Sequence, residues 1–122
     1  MSAFNWIVVH ARCPSCGQQT EIRCQTHVAS THAGDARGRF HDREYNLGEK
    51  MFWWPETDAR SHEWRSNPGL RESGDDYEDE ACYATCSACR AALCAVVRFR
   101  GACPERLLGV TTEENWPVGY ER

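Results

Sequence analysis

The chain has 122 residues, of which 41% are hydrophobic and 26% charged, and its formal net charge is −4. This length suits one globular domain with its own core, and no apolar run approaches the roughly 20 residues that span a bilayer. A negative net charge also gives no general attraction to phosphate backbones. We therefore expect a single domain over residues 1–122 that binds neither membranes nor nucleic acid.

The first predicted hairpin surrounds a Cys-x-x-Cys step. Residues 4–12 are rich in β-branched and aromatic side chains, which favours a strand. They lead into Cys13-Pro14-Ser15-Cys16, after which residues 18–28 alternate imperfectly with the period of two that is typical of a half-buried strand. Residues 1–12 also lack the basic start and cleavage site of a signal peptide, so we expect a cytoplasmic protein.

The middle of the chain, about 29–80, is interpreted as an insertion. Residues 29–43 contain two glycines and charges of both signs, which predicts a loop. Residues 44–54 predict a short strand pair that turns at Gly48. Residues 56–80 are polar and acidic, which predicts a long surface loop with at most a turn or two of helix, near 56–66 or 75–82.

The second hairpin follows Cys86-Ser87-Ala88-Cys89. Residues 90–100 form the clearest strand pattern, with Leu93, Ala95, Val97 and Phe99 on one face. We expect residues 106–110 to return beside this strand and the tail around Trp116 to pack on the sheet. The predicted fold is mainly β: a small antiparallel sheet with two Cys-x-x-Cys knuckles and a long acidic loop insertion.

The two cysteine steps predict a metal site. A structural Zn²⁺ takes four soft ligands in a tetrahedron, and paired Cys-x-x-Cys steps supply them two at a time. We predict that one Zn²⁺ joins the two ends of the chain through Cys13, Cys16, Cys86 and Cys89. Whether His10, Cys24, His27 or Cys82 also enters the site is left open, because Cys24 and His27 form a Cys-x-x-His step. Cys24, Cys94 and Cys103 are expected to be small core residues.

This pattern resembles a zinc-ribbon or rubredoxin-like zinc-binding domain of small bacterial proteins of unknown function. The resemblance covers about a third of the chain and includes a central Tyr45-Asn46-Leu47-Gly48. It departs from simple ribbons in spacing, because 69 residues separate Cys16 from Cys86, whereas the usual separation is about 15–20. The resemblance implies a fold and a metal, and no activity.

The sequence predicts a binding protein rather than an enzyme. Four thiolates leave a zinc ion no open coordination position, and no base–nucleophile pair or phosphate-binding glycine loop is recognisable. We expect a protein-binding module, most specifically a bacterial immunity or inhibitor protein that blocks a toxin through an acidic surface. A nucleic-acid-associated zinc ribbon and a redox or metal-dependent enzyme are the alternatives.

The predicted partner surface lies between residues 51 and 80, which carry nine acidic and three basic residues, a balance of −6. Tryptophan is enriched at interface hot spots, so we expect Trp53 or Trp54 to anchor the partner, although core packing is the simpler role for both. Charges at an interface rim speed association. We assign that role to Asp75, Asp76, Asp79 and Glu80.

Overall fold

The computed structural model describes residues 3–65 and 77–120. This part of the chain contains eight strands and two short 3₁₀ helices, and it contains no α-helix. The strands are β1 (Asn5–Arg12), β2 (Gln19–Thr26), β3 (Thr31–Asp35), β4 (Gly38–Phe40), β5 (Glu44–Asn46), β6 (Tyr77–Cys86), β7 (Ala92–Arg100) and β8 (Pro104–Thr112). The 3₁₀ helices are η1 (Ala59–His62) and η2 (Glu113–Asn115). No helix within these described ranges has the length and apolar character needed to cross a membrane.

Six of the strands form one curled sheet in the order β5-β1-β2-β6-β7-β8. All neighbours pair antiparallel except β5, which lies parallel to β1. Strands β3 and β4 form a separate two-stranded hairpin. The mainly β fold is therefore confirmed, and so are the strands predicted at 4–12, 18–28 and 90–100 and the return at 106–110.

The core lies on the inner face of the curl. The register places Ile7 opposite Cys24 and Ile22 opposite Cys86, so the inward positions of β1, β2 and β6 line up across the sheet. The inward face predicted for β7 is confirmed, because its four apolar residues are all fully buried: Leu93, Ala95, Val97 and Phe99. Burying one such large aliphatic or aromatic side chain stabilises the fold by about 1.5–3 kcal/mol.

Residues 48–51 link the two edges of the sheet. The Gly48 N–H donates to the Pro104 carbonyl at 2.7 Å, and the Met51 N–H donates to the Ala102 carbonyl at 2.7 Å. Gly48 adopts a φ of +85°, which a residue with a Cβ rarely tolerates. The segment after β5 therefore satisfies polar groups at the start of β8 and partly closes the curl.

Three predictions for the middle of the chain are wrong. Residues 29–43 are not a loop, because they contain the β3–β4 hairpin. Residues 44–54 do not form a strand pair, since only Glu44–Asn46 is a strand and it pairs with β1. The Phe52 N–H instead donates to the Tyr45 hydroxyl at 2.9 Å, and the aromatic residues that follow pack against Phe40.

The third error concerns the acidic segment. Residues 77–80 belong to β6, which pairs with β7 from Tyr77 to Thr85, so they are neither loop nor helix. Alternation of the strand places Glu78 and Glu80 inward, and β-pairing with an apolar strand overrides their polar character. The short helix expected near 56–66 is present as η1. Residues 66–76, with Asp75 and Asp76, lie outside the described part of the chain.

Candidate metal centre

Two tight turns present the cysteines. In the β1–β2 turn the Gly17 N–H donates to the Cys13 carbonyl at 2.8 Å, and in the β6–β7 turn the Arg90 N–H donates to the Cys86 carbonyl at 2.9 Å. Gly17 and Arg90 both have positive φ angles, +73° and +64°. The two turns thus share one backbone design. Because β2 pairs with β6 in the sheet, they lie side by side.

The four thiols form a compact cluster. The Cys13 and Cys89 sulfurs lie 3.8 Å apart, the Cys16 and Cys86 sulfurs lie 3.9 Å apart, and all four Sγ atoms lie within 4.8 Å of one another. A disulfide would require about 2.05 Å. Zinc–sulfur bonds of about 2.3 Å in a tetrahedron place the sulfurs roughly 3.8 Å apart. The cluster therefore fits a metal ion such as zinc.

Backbone N–H groups are directed at two of the sulfurs. The backbone nitrogens of Ser15 and Cys16 lie 3.3 and 3.5 Å from the Cys13 sulfur. The Cys89 N–H lies 3.4 Å from the Cys86 sulfur. Such donors favour the thiolate form, which is the form that binds metal. They orient both cysteines for coordination.

The thiols of the cluster do not ionise independently. Hydrogen bonding from the backbone of Cys89, reinforced by that of Ala88, lowers the pKa of Cys86 to about 7. For Cys16 the backbone of Gln18 acts in the lowering direction, but burial and the three neighbouring thiols outweigh it and raise the pKa to about 11. If several of these thiols ionise, their negative charges repel one another at this distance. A divalent cation relieves that repulsion.

The cluster is continuous with the hydrophobic core. Cys13 and Cys86 are fully buried and pack with the core, whereas Cys16 is half-buried and Cys89 is exposed. The side of the centre formed by Cys13 and Cys86 therefore packs against the core, and the side formed by Cys89 faces solvent.

The other candidate ligands lie elsewhere. Within residues 3–65 and 77–120, the four cysteines are the one group of side chains placed to hold a metal. His10 is exposed on β1, and the His27 ring contacts the Ala3 carbonyl at 3.0 Å. Cys24 and Cys82 are buried apart from the cluster. Burial of Cys24 and Cys94 confirms their expected core role, while Cys103 is only half-buried.

Two of the predicted partner-binding carboxylates are engaged within the sheet. Asp79 accepts two hydrogen bonds from the Arg98 guanidinium, at 2.8 and 3.0 Å. Glu80 accepts from the Thr26 hydroxyl at 3.1 Å and from the His27 N–H at 3.2 Å. Burial raises the pKa of Glu80 to about 7. The binding role of these two residues stays a prediction, as does that of Asp75 and Asp76.

The two predicted anchors belong to an aromatic cluster. The rings of Phe52, Trp53 and Trp54 lie 5.0, 5.4 and 4.5 Å from the ring of Phe40, which is fully buried. Both tryptophans are half-buried and line a cleft of about 790 Å³. No sequence motif signals this cleft, because its walls come from residues 37–64 and from Gly101 and Ala102. We call it the aromatic cleft.

Comparisons of this chain with protein-family models, with curated proteins and with solved structures found no match. The likeness to zinc ribbons therefore stays a resemblance.

Proposed function

We propose that Cys13, Cys16, Cys86 and Cys89 bind one structural Zn²⁺ and that the chain is a zinc-ribbon-like, non-enzymatic protein-binding module. The observation that carries this proposal is the spacing of the thiols, whose 3.8 and 3.9 Å separations match the edges of a tetrahedral zinc–thiolate centre. Tetrahedral sets of four sulfurs are typical of zinc and of iron–sulfur sites.

A structural role for the metal follows from the ligand set. Catalytic zinc keeps three protein ligands and one exchangeable position, and four thiolates leave no such position. Two of the ligands, Cys13 and Cys86, are also core residues. Metal-binding energy in such a site contributes directly to folding.

X-ray absorption at the zinc and iron edges tests this assignment. We expect a shell of four sulfurs at about 2.3 Å with no nitrogen or oxygen ligand. A coordinated water or histidine would contradict the closed site, and iron in place of zinc would contradict the choice of metal.

The aromatic cleft supports the binding part of the proposal. Clefts of about 300–1,000 Å³ with aromatic walls are typical ligand sites, and this one has a volume of about 790 Å³. We place the partner contact there, with Trp53 and Trp54 as the anchors. An inhibitor that captures a toxin through the acidic charge of Asp75, Asp76, Asp79 and Glu80 remains a proposal, in which Asp79 and Glu80 also have hydrogen-bond partners inside the sheet.

A further inference from the structure

The wall of the aromatic cleft is fixed by packing against a buried ring and by a hydrogen bond. Phe40 is fully buried and packs against Phe52, Trp53 and Trp54. The Phe52 N–H donates to the hydroxyl of Tyr45, which also lines the cleft. A wall fixed in this way loses little conformational freedom when a ligand binds.

The polar groups of the cleft are mainly donors. The indole N–H of Trp53 is enclosed in the protein, so Trp53 contributes an apolar ring and not a donor to the cleft. The Arg43 guanidinium stacks over Phe52 at 4.1 Å. Only its Nε–H donates a hydrogen bond, to the Arg39 carbonyl, so its terminal N–H groups remain unused. Lys50 lines the cleft and makes no hydrogen bond or ion pair within the described residues. The unused N–H donors of Arg43 and Lys50 therefore favour a ligand that supplies acceptors.

Charge does not define the ligand. Arg37 lines the cleft but is paired with Asp35 at 2.7 Å. The lining also contains two carboxylates, of which Glu49 already accepts from the Asn46 N–H and Glu56 does not have a partner in the described ranges. With cations and carboxylates both present, neither a polyanion nor a polycation is selected.

From this combination we infer that the aromatic cleft binds a proline-rich segment of a protein partner in the polyproline II conformation. Proline has no backbone N–H, and a polyproline II chain makes no internal hydrogen bonds, so it presents carbonyl acceptors almost without donors. Such chains dock in aromatic-lined grooves. An acceptor-rich, apolar ligand thus matches a donor-rich, aromatic site.

This inference rests on the proposed protein-binding function and is independent of the metal. The test is selection of phage that display random dodecapeptides, on the zinc-loaded full chain. We expect the selected peptides to be enriched in proline. Absence of binders, or binders rich in charge and not in proline, would overturn the inference. Zinc content and folding of the same sample are measured separately, so a failure of the metal proposal is distinguished from a failure here.

Variants then locate the site, with a synthetic peptide of the selected sequence as probe. Trp53→Ala removes one of the two indole rings that line the cleft, and we expect about tenfold weaker binding. Trp54→Ala should weaken binding at least as much, and Trp54→Phe serves if the alanine variant does not fold. Trp116→Phe is the matched control, because Trp116 packs on Tyr83 on the outer face of the sheet. Equal affinity of the Trp53 and control variants would contradict the placement in the cleft.

Discussion

The two ends of β7 are organised by different chemistry. Cys89, just before the strand, belongs to a cluster built from two four-residue cysteine steps. Gly101 and Ala102, just after it, line a cleft whose other walls come from residues 37–64. The cysteine end depends on thiols that two short turns bring together. The cleft end depends on the packing of aromatic rings around buried Phe40. A short motif can therefore specify the metal end, whereas the cleft needs the whole fold.

The largest effect is expected from breaking the metal end. Cys86→Ser removes a fully buried ligand and should cost more than about 3 kcal/mol of the free energy of unfolding, since zinc binding is coupled to folding. Urea unfolding with saturating zinc measures the loss. Cys103→Ser is the control, because Cys103 lies outside the thiol cluster. Similar stability of the two variants would show that the cluster does not hold the fold.

The next largest effect is expected at the cleft end. Phe40→Ala removes the ring at the centre of the aromatic cluster and should cost about 3–5 kcal/mol, as large-to-small core substitutions do. Phe40→Leu should cost clearly less because it fills more of the space. Zinc stoichiometry of the folded fraction should stay unchanged in both variants. Loss of zinc from folded Phe40→Leu would mean that the two ends are not independent.

The difference between the two ends also explains what the sequence could predict. The cluster of four cysteines follows from their spacing in the sequence, because a Cys-x-x-Cys step encodes its own turn. The alternating patterns of β2 and β7 predict strands for a similar local reason. The sequence does not predict strand β6, since Tyr77–Glu80 is acidic and is held in the sheet by its pairing with β7. The sequence draws attention to Trp53 and Trp54 as adjacent tryptophans, but their packing on Phe40 depends on tertiary contacts that no local pattern contains.

A pH-dependent effect is expected from Glu80, on the inner face of β6. Burial raises its pKa from 4.5 to about 7, with a further increase from Glu78 and opposing contributions from His27 and Thr26. The Cys82 thiol also faces this carboxyl group, at 3.8 Å. Because the folded state holds the proton more tightly, this contribution to stability is complete below about pH 4.5 and is lost as the pH rises through about 7.

Comparison with Glu80→Gln isolates that effect. Between pH 5 and 8 the wild type should lose roughly 1–3 kcal/mol relative to the variant, as judged by urea unfolding at each pH. Glu56→Gln, at an exposed position, controls for the removal of one carboxylate. Parallel profiles for the wild type and Glu80→Gln would contradict a partly buried Glu80 that holds its proton near neutral pH.

The smallest effects are expected from ion pairs. The Arg98–Asp79 pair is bidentate and its side chains are 23% and 12% exposed, whereas those of Arg23 and Glu44 are 41% and 59% exposed. Double-mutant cycles with alanine should give a coupling energy of about 1 kcal/mol or more for the first pair and below about 0.5 kcal/mol for the second. Equal couplings would indicate that Asp79 is not held by Arg98 in solution and is available to a partner.

The central claim is that the four thiols form a zinc centre, and metal analysis tests it most directly. Mass spectrometry of the purified wild type, after dialysis against zinc-free buffer, should find about one zinc per chain. The quadruple variant with serine at positions 13, 16, 86 and 89 should contain almost none. Full zinc occupancy in that variant, or none in the folded wild type, would contradict the assignment.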